Sequence, residues 1–368
     1  MIAIPRLAAA LAVALSMLAV AAPALAQANA RKRAPIVIAH RGASGYLPEH
    51  TLAAYAVAML QGADFIEPDL VMTRDGHLVA RHDNQLALTT DVASRPELAG
   101  RKTTKVVDGT SVTGWFSEDF TLAELGSLRA IERIPGIRPG NTRFDRQFHI
   151  PTLQQIIDLV KAHEQASGRA IGIYPELKHP SYFAGIGLAM EAPLVRILHR
   201  NGYQRQRGKV FIQSFEIGAL QKLRRLTRIP LVQLLSDKGR PQDVAAAGGA
   251  LTYAQMATPQ GLRDIARYAD GVGPEQRLLI PRDSRGALDP AAASSLVADA
   301  HAAGLLVHAY TFRAENYFLS RSHKASLVPN AHGDLEAELA AFLAIGIDGF
   351  FTDHADLGVR ARDAFTAR

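Results

Sequence analysis

The sequence predicts an α/β protein folded as one barrel of eight parallel strands with a small insertion. From residue 35 onward, short β-branched runs alternate with amphipathic, capped helical segments, the pattern of parallel strands joined by crossover helices. The runs fall at 36–40, 65–70, 171–177, 210–214, 231–235, 306–312 and 349–353, with a weaker one at 271–275. They number eight, which is what closes such a barrel. The length of 368 residues suits one barrel with an insertion as well as it suits two domains.

The chain opens on Arg6, the only charge ahead of an apolar stretch rich in Ala, Leu and Val that ends in Ala24-Leu25-Ala26. This predicts a secretory signal over residues 1–26 with an A-x-A cleavage site. Its most apolar part, 7–22, is short for a membrane span and runs straight into Pro23. The barrel domain is then expected over 27–368, exported and without stable membrane insertion.

Helix boundaries are readable between the strands. Thr152 with Gln155 makes a capping-box pattern ahead of an apolar-periodic segment. Thr258-Pro259 and Asp289-Pro290 each pair a capping side chain with proline at the first helical position, and Asp334 opens a further helix. Gly304 and Gly346 stand where helices should stop. The interval 83–150 breaks this rhythm and is too long for an ordinary loop. It holds Trp115-Phe116, Phe120 and a short helix expected at 122–128, apolar pieces that predict a folded insertion emerging just after His82.

Composition narrows the chemistry. With no cysteine there is no disulfide, thiolate metal site or Cys nucleophile, so any metal must rest on oxygen or imidazole. The 41 basic and 35 acidic residues leave a net charge of +6, but the only dense basic run is Arg31-Lys32-Arg33. No nucleic-acid partner is expected from so scattered an excess.

The polar residues that matter sit at strand ends. Four apolar residues run into His40-Arg41-Gly42, which places an imidazole and a phosphate-matching guanidinium at the carboxyl end of a buried strand, where barrel active sites form. In Phe65-Ile66-Glu67-Pro68-Asp69-Leu70 the period of two puts Glu67 and Asp69 on one face. Converging carboxylates repel unless a cation sits between them, which argues for a hard divalent ion; pairing to Arg or Lys of adjacent strands is the alternative. Tyr174-Pro175-Glu176-Leu177-Lys178 repeats the arrangement, with Glu176 able to complete an oxygen cage and Lys178 to meet an anion or simply to pair with Glu176. His82 follows another short extended run. Gln213-Ser214-Phe215, Tyr310-Thr311-Phe312-Arg313 and Phe351-Thr352-Asp353 are weaker signals suited to lining a pocket. Two histidines, a guanidinium, a lysine and a divalent ion form a set able to break a phosphate diester.

These stretches, together with Pro48-Glu49-His50-Thr51, Gly62-Ala63-Asp64 and Asp75-Gly76-His77, closely resemble the glycerophosphodiester phosphodiesterase family over nearly all of the chain after the signal. With the signal and the long insertion, the chain looks most like the periplasmic members of Gram-negative bacteria. The resemblance implies a TIM (β/α)8 barrel with a small inserted domain, a Ca²⁺ (or Mg²⁺) cofactor, and hydrolysis of glycerophosphodiesters such as glycerophosphocholine or glycerophosphoethanolamine to sn-glycerol 3-phosphate and an alcohol, by way of a cyclic phosphate. It makes His40 and His82 the acid–base pair and Glu67, Asp69 and Glu176 the metal ligands. Arg41 and Lys178 become phosphate contacts, Phe215 a substrate contact, and Glu49 a supporting residue. Pro68 between two ligands and Pro180-Ser181-Tyr182 depart from the pattern and bear on substrate range. A phospholipase D-like lipid phosphodiesterase and a non-catalytic phosphodiester-binding protein are the alternatives.

Overall fold

The computed structural model describes residues 34–204 and 209–367; the expected signal, 1–26, lies outside them. The described strands are β1 (Ile36–His40), β2 (Phe65–Glu67), β3 (Asp69–Met72), β4 (Leu78–Ala80), β5 (Thr103–Val107), β6 (Thr110–Gly114), β7 (Gly172–Ile173), β8 (Glu176–Leu177), β9 (Ile212–Ser214), β10 (Leu231–Leu235), β11 (Gly271–Pro274), β12 (Leu306–Phe312) and β13 (Gly349–Thr352). Parallel pairing runs from β8 through β9, β10, β11, β12 and β13 to β1 and on to β2. β2 pairs with β7, and β3 with β8. Because β2 and β3 are two halves of one barrel strand, as are β7 and β8, the ring of eight closes as the sequence predicts.

Both interruptions coincide with proline. Pro68 divides β2 from β3, and Pro175 lies between β7 and β8; a residue without an N–H breaks the regular ladder. Backbone bonds still cross the breaks, from Tyr174 N–H to the Ile66 carbonyl and from Glu176 N–H to the Pro68 carbonyl, each 2.9 Å. The strand expected at 65–70 therefore runs two residues further, to Met72, and then turns back through Gly76 (φ 81°) into the antiparallel β4. This hairpin arm lies outside the ring. Its register sets Leu70 against Ala80, and Arg81 N–H reaches the Asp69 carbonyl, so His82 is returned to the mouth of the barrel beside the Glu67–Asp69 strand.

Alternation along the strands sorts the barrel interior by height. Ile38, Phe65, Tyr174, Phe211, Val232 and Phe351 pack together as a buried cluster, with the Tyr174 and Phe211 rings stacked at 5.0 Å. Two residues further along four of these strands come His40, Glu67, Gln213 and Asp353. The apolar layer thus forms the floor, and the polar groups stand one layer above it at the carboxyl ends.

The helical signals are met with two exceptions. Thr152 makes a full capping box with Gln155 on the helix Leu153–Ser167, and Thr258 and Asp334 each accept a backbone N–H of the helix they precede. Asp289 makes no side-chain cap; Pro290–Ala292 is a single 3₁₀ turn, and the α-helix starts only at Leu296. The helix expected at 122–128 ends at Leu125, where the Leu128 N–H bonds the Leu125 carbonyl in a tighter turn. Within 83–150 the insertion is folded. β5 and β6 form a hairpin whose Asp108-Gly109 turn has φ of 50° and 76°, as a two-residue hairpin turn requires. Phe116, Phe120, Leu125 and Leu128 of the insertion are buried, and the Trp115 indole N–H donates to the Leu98 carbonyl at 2.7 Å.

Candidate active site

At the carboxyl ends of the strands a cavity of about 440 Å³ is lined by His40, Arg41, Glu67, His82, Glu176 and Lys178 among others. The chain leaves β1 in an unusual conformation: Arg41 has φ 60° and Gly42 φ 84°. A Cβ on Gly42 would lie 2.7 Å from the Ala54 carbonyl carbon, so only glycine fits there. The turn aims the Arg41 N–H at Glu67 Oε2 (2.8 Å). Its guanidinium lies between Glu49 (3.0 Å), Asp69 (3.2 Å) and His40 Nε2 (3.2 Å). A left-handed, non-glycine backbone held in this way is a strain found at functional sites.

Each histidine is held from behind by a carboxylate. His40 Nδ1 lies 2.6 Å from Asp353 Oδ1 and His82 Nδ1 lies 2.8 Å from Asp83 Oδ1. An ionised carboxylate only accepts, so Nδ1 carries the hydrogen in both rings and Nε2 keeps its lone pair. His40 Nε2 accepts from Arg41 Nε, and His82 Nε2 accepts from Lys178 Nζ at 3.3 Å. Burial and then Arg41 lower the His40 pKa to about 4, against the pull of Asp353. Burial, Arg41 and Lys178 lower that of His82 to about 3. Both rings are neutral in the ligand-free protein.

Glu67, Asp69 and Glu176 bring one oxygen each within 4.8 Å of one another, all three buried. Gln213 Nε2 reaches Glu67 at 3.3 Å, Lys178 Nζ reaches Glu176 at 2.8 Å, and His50 Nε2 donates to Asp69 Oδ2 at 2.9 Å. Burial, together with the Asp69 and Glu176 charges, pushes Glu67 well above the usual carboxylate range. Burial raises Glu176 to about 7 even with Lys178 beside it. Asp69 goes the other way: against burial, Lys178, His50 and Arg41 hold it well below its ordinary value. Asp69 Oδ1 is buried with no hydrogen-bond partner among the described residues, an orphaned oxygen on a carboxylate grouped with two more. An all-oxygen set of this kind fits a hard divalent cation. A second cluster, Glu315, His332 and His354, fits one poorly. Arg138 already occupies Glu315, and His354 Nδ1 accepts the Ala314 N–H, which leaves the proton on Nε2.

The residues singled out in the sequence converge here, including Glu49, which accepts from Arg41 and from both faces of the Arg133 fork at 2.8 and 2.9 Å. The Phe215 ring centroid lies 5.6 Å from Lys178 Nζ. Sequence reasoning missed Arg133, Arg138 and the roles of Asp353, Asp83 and His50. Asp83 and His50 adjoin chosen residues and were within reach; the two arginines lie in an insertion whose fold gives no periodic signal.

Fold and site together define a barrel enzyme whose mouth gathers two carboxylate-backed histidines, Arg41 and Lys178, and three buried carboxylates. The sequence pattern of the glycerophosphoryl diester phosphodiesterase family matches residues 40–357. A glycerophosphodiester phosphodiesterase of Arabidopsis thaliana is 35% identical over 332 residues, covering 87% of this chain and 83% of that one. One of Haemophilus influenzae is 32% identical over 344 residues, covering 88% of each. Among solved structures, a phosphodiesterase of Oleispira antarctica in complex with the product sn-glycerol-3-phosphate aligns with a TM-score of 0.58 at 23% identity, covering 89% of this chain and 97% of that one. The chain belongs to the glycerophosphodiester phosphodiesterase family, and its activity is that of a phosphoric diester hydrolase.

Proposed function

We propose that the protein is an exported, metal-dependent enzyme that hydrolyses small glycerophosphodiesters such as glycerophosphocholine and glycerophosphoethanolamine to sn-glycerol 3-phosphate and the free alcohol. The observation that carries this reading is the convergence of two carboxylate-backed imidazoles, each with its Nε2 lone pair turned toward a cation, on one cavity with three carboxylates. Glu67, Asp69 and Glu176 would hold a calcium or magnesium ion, which supplies positive charge to the phosphoryl oxygens. Arg41 and Lys178 bind the phosphodiester anion, and Phe215 bounds the glycerol side of the pocket. His40, neutral and held by Asp353, takes the proton of the glycerol 2-hydroxyl as that oxygen attacks phosphorus. His82, which takes up a proton from solvent at Nε2 once the anionic substrate offsets Arg41 and Lys178, delivers it to the departing alcohol. The cyclic phosphate is then opened by water with the two roles exchanged.

One observation favours a lipid substrate as a second reading. Tyr317, at the cavity mouth, and the nearby Leu327 and Val328 are exposed, with Tyr317 N–H bonded to the Pro329 carbonyl. No helix among the described residues is long and apolar enough to cross a membrane. Release of glycerol 3-phosphate from glycerophosphocholine, lost on chelation and restored by Ca²⁺ or Mg²⁺, tests the proposal, with phosphatidylcholine vesicles as the parallel substrate. Faster turnover of the vesicles would replace the first reading by the second. Absence of release from either would leave a binding protein. An N-terminus at residue 27 in protein recovered from the periplasm tests export.

A further inference from the structure

The two dyads are built alike, and each is completed by the insertion. Asp83 offers Oδ1 to His82 and Oδ2 to Arg133 Nη1, both at 2.8 Å. Asp353 offers Oδ1 to His40 and Oδ2 to Arg138 Nη2, both at 2.6 Å. Arg133 and Arg138 stand five residues apart on one irregular segment, pinned where Ala130 N–H meets the Phe148 carbonyl and Ile131 N–H meets the Thr89 carbonyl. Its Pro135-Gly136 bend closes with Ile137 N–H and Arg138 N–H on the Ile134 carbonyl. Arg138 is buried and also reaches Glu315 (2.5 Å) and the Ser44 carbonyl (2.9 Å). Arg133 also clasps Glu49, which in turn holds Arg41.

We propose that Arg133 and Arg138 are positioning residues for the two histidines, so that this insertion segment sets the orientation of both the acid and the base. The inference rests on the assignment of His40 and His82 as the acid–base pair. A carboxylate bound only to an imidazole can swing about its own χ angles; one guanidinium N–H on its second oxygen, from an arginine whose Nε and Nη2 are anchored on a further carboxylate (Glu49 for Arg133, Glu315 for Arg138), fixes its plane. Through that plane it fixes the ring. The two arginines differ in what else they hold. Asp353 keeps a second partner, Arg313 Nε at 2.8 Å, so Arg138 acts on His40 alone and with partial backup. Among the described residues Arg133 is the one arginine on Asp83, and it also steadies the Glu49–Arg41 pair, so its loss reaches substrate binding as well.

The test is steady-state kinetics of the full chain on glycerophosphocholine, with Arg133→Met, Arg138→Met, Asp83→Asn, Asp353→Asn and the double variants. Displacement of a reacting group by about 1 Å can cost 10²-fold. Arg138→Met is therefore expected to lower kcat roughly 10- to 100-fold with KM nearly unchanged, and Arg133→Met to lower kcat similarly while raising KM. Within each dyad the losses should overlap: Arg138→Met added to Asp353→Asn, or Arg133→Met to Asp83→Asn, should cost little further. Across dyads they should multiply. If a methionine variant fails to fold, the lysine variant of that position carries the test, since lysine keeps the charge without the fork. Wild-type kcat in Arg133→Lys and Arg138→Lys, or full multiplication within each dyad, overturns the inference. His40→Ala and His82→Ala run alongside: retained turnover in both would overturn the histidine assignment itself, whereas loss in both with wild-type arginine variants would overturn only the arginine roles.

Discussion

Replacing Glu67 by glutamine probes the carboxylate cluster most directly, because it should affect two observables unequally. Two unit charges no more than 4.8 Å apart repel by at least about 3.5 kcal/mol at an effective dielectric constant of about 20. Glu67 faces two such neighbours, so full ionisation without a cation is costly, and a proton on Glu67 relieves it. Glutamine copies that protonated form in shape and charge. The metal-free Tm of Glu67→Gln should therefore stay close to wild type, with the amide oxygen accepting the Arg41 N–H and the amide NH2 donating to the Gln213 side-chain oxygen, which has no partner among the described residues, once the Gln213 amide turns over. Metal affinity should fall. Loss of a partner one step removed from a metal already costs 10- to 100-fold in affinity, and a lost anionic ligand should exceed that, at least about 2.8 kcal/mol. Calorimetric titration of Ca²⁺ and Mg²⁺ into both proteins, with a thermal melt of each in chelator, measures the two quantities. Unchanged affinity would refute the cation site. A large drop in metal-free Tm would show instead that ionised Glu67 is a structural partner of Arg41.

Other predictions follow from geometry already described. His40→Ala and His82→Ala should each lower turnover of glycerophosphocholine by roughly 10²- to 10⁴-fold; on a nitrophenyl ester of glycerol phosphate, whose leaving group needs no proton, His82→Ala should recover much of its rate and His40→Ala should not, while the reverse pattern would exchange their roles. His308, fully buried and sharing a 2.7 Å hydrogen bond with the Tyr174 hydroxyl, has its pKa lowered by burial from 6.5 to about 4. The unfolded chain binds that proton first as pH falls, so stability is full above pH 6.5 and declines toward pH 4, by about 3 kcal/mol. His40, His82 and His354 are lowered by burial in the same way and add to the decline, so urea melts across this range should show a decline that His308→Gln makes shallower; an equal slope in the variant would place the acid sensitivity elsewhere. Gly42→Ala should cost more than about 1 kcal/mol and displace Arg41, seen as a lower Tm with a raised KM, and an unaltered melt would contradict the tight approach to Ala54.

What the sequence disclosed and what it withheld divide along a physical line. His40, Glu67 and Asp69 were legible because a strand's period of two and its carboxyl end say where a side chain points before any fold is known. The break at Pro68 was legible as a missing N–H, but not its outcome, since whether a ladder resumes beyond a proline depends on the neighbouring strand. β4 was read as a bare extended run, because nothing local distinguishes a barrel strand from an arm folded back beside one. Asp289-Pro290 carries the residues of a helix start and yields one 3₁₀ turn; a cap can only mark a helix that the following residues bury, and Pro290–Ala292 has no buried residue. Arg133 and Arg138 were invisible because their partners, Asp83, Glu49, Glu315 and Asp353, are scattered along the chain and meet only after folding.

The two dyads differ in one respect that has a consequence for how activity arises. His82 and Asp83 are adjacent in the chain, while the bond between His40 and Asp353 spans 313 residues. The second therefore exists only after the last strand has docked against the first. Joined this way, the ends of the barrel act as an interlock: a chain cut short before β13 holds one histidine backed by its carboxylate and one without it. With both histidines catalytic, as proposed above, hydrolysis would begin with closure of the ring, and turnover would count the molecules that have finished folding.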